Sequence, residues 1–198
     1  MLKIVLFQAA LLLCQTILYF GIQKFEGPAH DVSSSFDKKI PYIPHSIFIY
    51  VLWFPMIAVY PLCLYIHSNA IYTIYIISII ADIIISTSIY MLYPSSFTRP
   101  EPPDGFIGKI MRLVLRCDYK GKNCMPSMHC SMCFIVMFTA YMSAGFQPLL
   151  YAGFALLALM IVISTVLTKQ HVIIDVITGF LTAALSFGIG ILLKLLLV

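Results

Sequence analysis

Charge is scarce in this chain. Asp, Glu, Lys and Arg make up only 10% of its 198 residues, and 61% are hydrophobic. A soluble domain carries about 25% charged residues, so a soluble globular protein is excluded and an integral, multi-pass membrane protein is expected. No long basic run is present, which excludes nucleic acid as a partner. No small-residue cleavage site follows the apolar run that begins after Lys3 and reaches about Phe20, so that run reads as a retained span rather than a signal peptide. A disulfide framework is missing too. Cys14 and Cys63 lie in apolar spans, while Cys117, Cys124, Cys130 and Cys133 crowd around one loop. A Cys117–Cys124 bridge would form only in an oxidising compartment. No internal repeat or low-complexity segment is evident.

What is present is apolar length. Six stretches approach the ~20 residues that a membrane-crossing helix needs; they cover 2–22, 46–66, 70–92, 128–145, 149–167 and 172–198. The expected fold is all-α: a six-helix transmembrane bundle, one domain over residues 1–198, embedded in the lipid bilayer. Three connections, 68–69, 145–148 and 168–171, are so short that the helices they join must lie antiparallel.

Two connections are longer. Residues 23–45 contain Pro28, Pro41 and Pro44, which favour extended backbone over helix. Residues 93–125 open with Pro94, Pro100, Pro102 and Pro103, then place Phe106, Ile110, Leu113, Val114 and Cys117 at helical spacing with Lys109, Arg112 and Arg116 between them. That pattern predicts a short amphipathic helix, lying in the headgroup layer or over the bundle. With six spans, both long loops and the 168–171 turn share one face, with Lys24, Lys38, Lys39, Arg99, Lys109, Arg112, Arg116, Lys120, Lys122 and Lys169; the other face has Lys3 and Lys194. Taken alone, the positive-inside count puts the cation-rich face in the cytoplasm, but some of those cations are candidates for substrate binding and bias the count, so the side stays open.

That face also carries the reactive side chains. Pro126-Ser127-Met128-His129 leads into one span and Lys169-Gln170-His171, followed by Asp175, leads into another. The intervening residues 130–167 include no charged residue, so two crossings return both histidines to one membrane edge. His171 and Asp175 are four apart on a helix face, where a carboxylate can hold one imidazole proton and leave the other nitrogen as a nucleophile. His129 can then donate a proton to a leaving oxygen. A helix start at Pro126-Ser127 offers N–H groups and a positive dipole end to an anion. Arg99 and Lys169 supply positive charge for phosphate oxygens. A phosphoryl-transfer site follows.

Together these residues resemble the type 2 phosphatidic acid phosphatase superfamily, which includes inositol phosphorylceramide and sphingomyelin synthases. Its motifs are K-x6-RP, PSGH and SR-x5-H-x3-D. Here they correspond to Arg99-Pro100, to Pro126-Ser127-Met128-His129, and to Ser164, His171 and Asp175 at matching spacing. The segments from Asp37 to Pro44 and from Asp118 to Asn123 are similar to flanks in some small members. The resemblance implies that His171 attacks phosphorus and forms a phosphohistidine, with Asp175 orienting it. It implies that His129 protonates the leaving alcohol, that Arg99, Ser127 and Ser164 bind phosphoryl oxygens, and that no metal or other cofactor is needed.

Three positions depart from the pattern: Leu92 for the leading lysine, Met128 for glycine and Thr165 for the arginine of the third motif. Lys169 is expected to compensate as a phosphate ligand, with Lys109, Arg112 or Arg116 as substitutes. The expected activity is a metal-independent lipid phosphatase acting on a membrane phospholipid or polyprenyl phosphate. A phospholipid headgroup phosphotransferase is the alternative, since water and a lipid alcohol are both possible acceptors. A transporter with a His/Asp proton relay is more distant, because the ionisable groups cluster at one edge and only Asp82 lies deep in a span. Asp82 reads as structural polar packing. Cys124, His129, Cys130 and Cys133 lack a second ligand pair and read as packing residues rather than a zinc site.

Overall fold

The computed structural model describes residues 2–24, 27–117 and 122–197. The chain forms an all-α bundle whose helices are α1 (Leu2–Ile22), α2 (Ile47–Tyr50), α3 (Trp53–His67), α4 (Asn69–Leu92), α5 (Gly105–Cys117), α6 (Met128–Ser143), α7 (Pro148–Leu167) and α8 (Ile173–Leu196). Five helical segments are long and apolar enough to cross a membrane: α1, the Pro44–His67 run through α2 and α3, α4, α7 and α8. The sixth expected span, 128–145, is present as α6, but its 16 helical residues fall short of that length. The second span is broken rather than continuous, with a 3-10 turn at Pro44–Ser46 before α2.

The expected amphipathic helix is α5, with a rotated apolar face. Met111 is buried and packs with Ile47 and Tyr50, joined by Ile107, Ile110 and Val114, while Phe106 and Leu113 of the expected stripe are exposed. Packing against α2 selects that face. The helix is anchored at Gly108, where a Cβ would lie 1.6 Å from the Pro103 carbonyl oxygen. The Cys117–Cys124 pairing, Lys120 and most of the Asp118 to Asn123 flank lie outside the described residues or side chains.

The core is built from α3, α4, α6, α7 and α8, with Tyr60, Leu64, Tyr75, Met132, Ile135, Val136, Ala158 and Ile161 buried at its centre. α8 packs chiefly on α4 and α6. Along that seam Asp82 is fully buried, and its Oδ2 accepts a 2.6 Å hydrogen bond from the Ser131 hydroxyl. Close by, α8 crosses the start of α6 at Gly179, where a Cβ would meet the Ser127 carbonyl oxygen at 2.9 Å and the Cys130 Cβ at 3.3 Å. A side chain there forces the helices apart. Gly179→Val is therefore expected to cost about 1–3 kcal/mol, the scale of overpacking a tight interface, and to lower turnover as well as the melting temperature in detergent. An unchanged melting temperature would show that the helices separate freely at this point.

The two long loops are tied together over the bundle end. Strand β1 (His30–Asp31) pairs in parallel with β2 (Ser95–Ser96), and Ser96 bridges to Lys122. The Ser95 hydroxyl accepts from Met125 N–H at 2.8 Å, and the Tyr90 hydroxyl donates to the Pro126 carbonyl at 2.6 Å. These bonds set the entry to α6.

Candidate active site

Several helices and loops deliver side chains to one cavity of about 500 Å³. His129 arrives in the first turn of α6, and His171 in the last turn-residues before α8. Arg99 comes from the loop after β2 and Tyr50 from α2; Trp53 and Phe54 open α3. The wall is mostly apolar, with Tyr19 and Phe20 of α1 and Ile110, Leu113 and Val114 of α5 completing it. α5 thus forms one wall of the cavity, a role absent from the sequence reading.

The two imidazole centroids lie 6.0 Å apart. His171 Nδ1 lies 3.1 Å from Asp175 Oδ2, and the same oxygen accepts from Val172 N–H at 3.1 Å. With Nδ1–H donating to the carboxylate, the imidazole lone pair is on Nε2. Asp175 itself is fully buried in the first turn of α8. His129 Nε2 shares a 3.1 Å hydrogen bond with the Tyr50 hydroxyl, and its ring lies against Tyr50, at 4.9 Å, and Trp53, at 4.4 Å. One Arg99 nitrogen donates to the Gln170 carbonyl at 3.4 Å, next to His171, and lies 3.7 Å from Cys124 Sγ. The guanidinium also sits 5.0 Å over the Phe97 ring.

His129, His171 and Arg99 thus share one cavity. Three other residues expected to bind phosphate do not line it. Ser127 is fully buried; its hydroxyl caps α6 by accepting from Cys130 N–H at 3.2 Å, and its own N–H donates to the Asp175 carbonyl at 3.1 Å. The Ser164 hydroxyl donates back to the Ile161 carbonyl at 2.7 Å within α7. Lys169 Nζ donates to the Asp37 and Ile40 carbonyls at 2.7 and 2.8 Å. The physical reason is local demand: a helix cap, an intrahelical bond and a loop carbonyl pair each take the donor. Lys109, Arg112 and Arg116 flank a separate groove on α5.

Cys130 and Cys133 are buried in the bundle core, and Cys130 Sγ lies 3.5 Å from the Thr165 hydroxyl. Among the described residues no three His, Cys, Asp or Glu side chains gather as a metal-ligand group.

Asp37 was not singled out for chemistry in the sequence, although its neighbours Lys38 and Lys39 marked a polar loop. Its Oδ1 accepts from Ile173 N–H at 2.8 Å, and its Oδ2 from the Ser34 N–H and hydroxyl at 2.7 and 2.6 Å. Burial pushes the carboxyl pKa up, but the Ser34 hydroxyl, the Ile173 and Ser34 N–H groups and the Lys169 charge outweigh it and leave the value below the ordinary range. The resulting stabilisation is present above the unfolded value of about 3.9 and is lost as pH falls through the lower folded value. At neutral pH the carboxylate bonds are complete. Burial in turn pulls Lys169 below its usual value, opposed by the Asp37 charge.

The chain is thus an all-α bundle with five helices long and apolar enough to cross a membrane, and it gathers two histidines, a carboxylate and an arginine at one end. The PAP2 superfamily model matches residues 71–195, and the chain belongs to that superfamily, whose members are generally phosphatases or related phosphotransferases. Comparison with curated proteins and with solved structures gives no match.

Proposed function

We propose that the protein is a metal-independent lipid phosphatase that works through a phosphohistidine. The observation that carries this reading is the His129–His171 pair, 6.0 Å apart on one cavity, with Asp175 on the Nδ1 side of His171. His171 Nε2 attacks phosphorus as the bond to the lipid alcohol breaks, and His129 gives its proton to the departing oxygen. Water then attacks the phosphohistidine, His129 takes its proton, and breakage of the P–N bond releases phosphate. Arg99 neutralises the phosphoryl oxygens with its forked N–H groups. The Ser127 end of α6 adds the positive pole of a helix. A mostly apolar wall between α1, α3 and α5 supports a substrate with hydrocarbon chains, presented from the bilayer in a six-pass arrangement.

The same apolar wall favours one second reading, in which a lipid alcohol replaces water and the protein is a headgroup phosphotransferase. The test is incubation of purified protein with phosphatidate, a polyprenyl pyrophosphate and phospholipids, with and without added lipid alcohols. Release of inorganic phosphate, blocked by orthovanadate, is the expected result. A new phospholipid without free phosphate would favour the transferase. No turnover of any phosphate ester would overturn both. Activity is further expected to survive EDTA, because Arg99 and the α6 start meet the phosphoryl charge without a divalent ion. Loss on chelation, restored by zinc or magnesium, would overturn that part of the mechanism.

A further inference from the structure

The turn that presents His171 is only five residues long, 168–172; its N–H groups bond locally, to the Ser164, Thr165 and Val166 carbonyls and to Asp175, while its two flanks and the Lys169 side chain are held from elsewhere. Lys169 adopts φ 55°, a left-handed conformation that is unfavourable for a non-glycine residue. Val172, the residue before α8, has no side-chain oxygen to cap the helix, and Asp175 Oδ2 is already shared between Val172 N–H and His171. The partners of the flanks and of the Lys169 side chain come from a segment more than 120 residues earlier in the chain.

That segment reaches the turn at three points. Ile43 N–H donates to the Leu167 carbonyl at 2.8 Å, closing the end of α7. Lys169 Nζ crosses back to the Asp37 and Ile40 carbonyls. Asp37 Oδ1 takes the Ile173 N–H, one of the unpaired donors at the start of α8, and places a negative charge at the positive end of that helix. Ser34 holds the other Asp37 oxygen. Every bond lies on the flanks of His171, and none reaches the cavity wall.

We propose that Asp37 and Lys169 are positioning residues that act as one strap, bracing the 168–172 turn so that His171 presents Nε2 at a fixed distance and angle. The inference rests on His171 being the nucleophile. It gives Lys169 a role distinct from binding phosphate: its charge is spent on loop carbonyls, and its backbone strain is balanced by those contacts. A shift of about 1 Å in a reacting group can cost 10²-fold in rate, so loosening the strap should act on the chemical step rather than on binding.

The experiment measures kcat, KM and the inhibition constant of inorganic phosphate for Asp37→Ala, Asp37→Asn, Lys169→Met and the Asp37→Ala/Lys169→Met double variant of the full chain. Inorganic phosphate is the probe because it occupies the site without a bond to His171. Asp37→Ala and Lys169→Met should each lower kcat by about 10- to 100-fold, leaving KM and the phosphate constant within about threefold. Asp37→Asn should recover part of the loss, since its amide oxygen can still accept from Ile173 N–H although its NH2 group cannot accept from Ser34. The double variant should lose little more than the worse single one, as expected for two residues of one unit. A phosphate constant weakened about tenfold or more in Lys169→Met but not in Asp37→Ala would make Lys169 a phosphate ligand and overturn the strap. Multiplicative losses in the double variant, or no rescue by Asp37→Asn, would overturn it as well. If these variants turn over normally while His171→Ala is dead, the strap fails and the phosphohistidine reading stands.

Discussion

Replacing His171 with alanine is expected to abolish turnover, with a loss on the order of 10⁶-fold, the scale of deleting a covalent nucleophile. The acid-labile phosphoenzyme should vanish with it. The argument is geometric: His171 faces the cavity, and its Nδ1 is engaged by a fully buried carboxylate 3.1 Å away, leaving Nε2 for phosphorus. Asp175→Asn preserves an acceptor but removes the negative charge that favours this tautomer, so a smaller loss of up to about 10⁴-fold is expected. Rapid quenching with labelled substrate, followed by alkaline gel separation, reads the intermediate directly. A phosphoenzyme that persists in His171→Ala would assign the nucleophile to another side chain.

The second large effect is expected at His129. His129→Ala should lower the rate on a lipid phosphate by roughly 10²- to 10⁴-fold, the range for loss of a general acid. The loss should shrink strongly on p-nitrophenyl phosphate, because that leaving group departs without a proton. Phosphoenzyme should still form from the activated ester, then build up, since the same histidine deprotonates the incoming water. Tyr50→Phe should produce a milder version of this pattern, because the Tyr50 hydroxyl holds His129 Nε2 at 3.1 Å while Trp53 still packs on the ring. Equal losses on both esters in His129→Ala would remove the proton-donor role and leave His129 as a packing or binding residue.

Much of the bundle was legible from hydrophobic length alone, because a helix that must satisfy its own backbone in lipid declares itself by ~20 apolar residues. The α4, α7 and α8 boundaries fall within a few residues of the apolar stretches. The break between α2 and α3 was less visible, since every residue there is apolar and periodicity does not register a change of helix axis. Which face of α5 packs on the bundle was not legible for a related reason. Its spacing permits several apolar stripes, and contact with Ile47 and Tyr50 selected the one centred on Met111.

The histidine motifs were readable because their chemistry is local: His171 and Asp175 are one helical turn apart, and neighbours at that spacing meet without help from the rest of the chain. Cation partners were not. Arg99 and Lys169 look equivalent as charges near a membrane edge, yet one lines the cavity and the other reaches to the Asp37 loop. Sequence spacing says nothing about which carbonyl a flexible ammonium will find.

The sequence by itself therefore determined an apolar helical bundle, the membrane edge at which its polar groups gather, and the pairing of His171 with Asp175. All three follow from hydrophobicity and helical periodicity, which act over a turn or a span. Only the tertiary structure decided that His129 is boxed by Tyr50 and Trp53, that α5 walls the cavity, and that Asp37 braces the turn before α8. Those contacts join residues tens to more than a hundred positions apart, and they form because α6 and α8 close together at Gly179 while the two long loops bond across the bundle end.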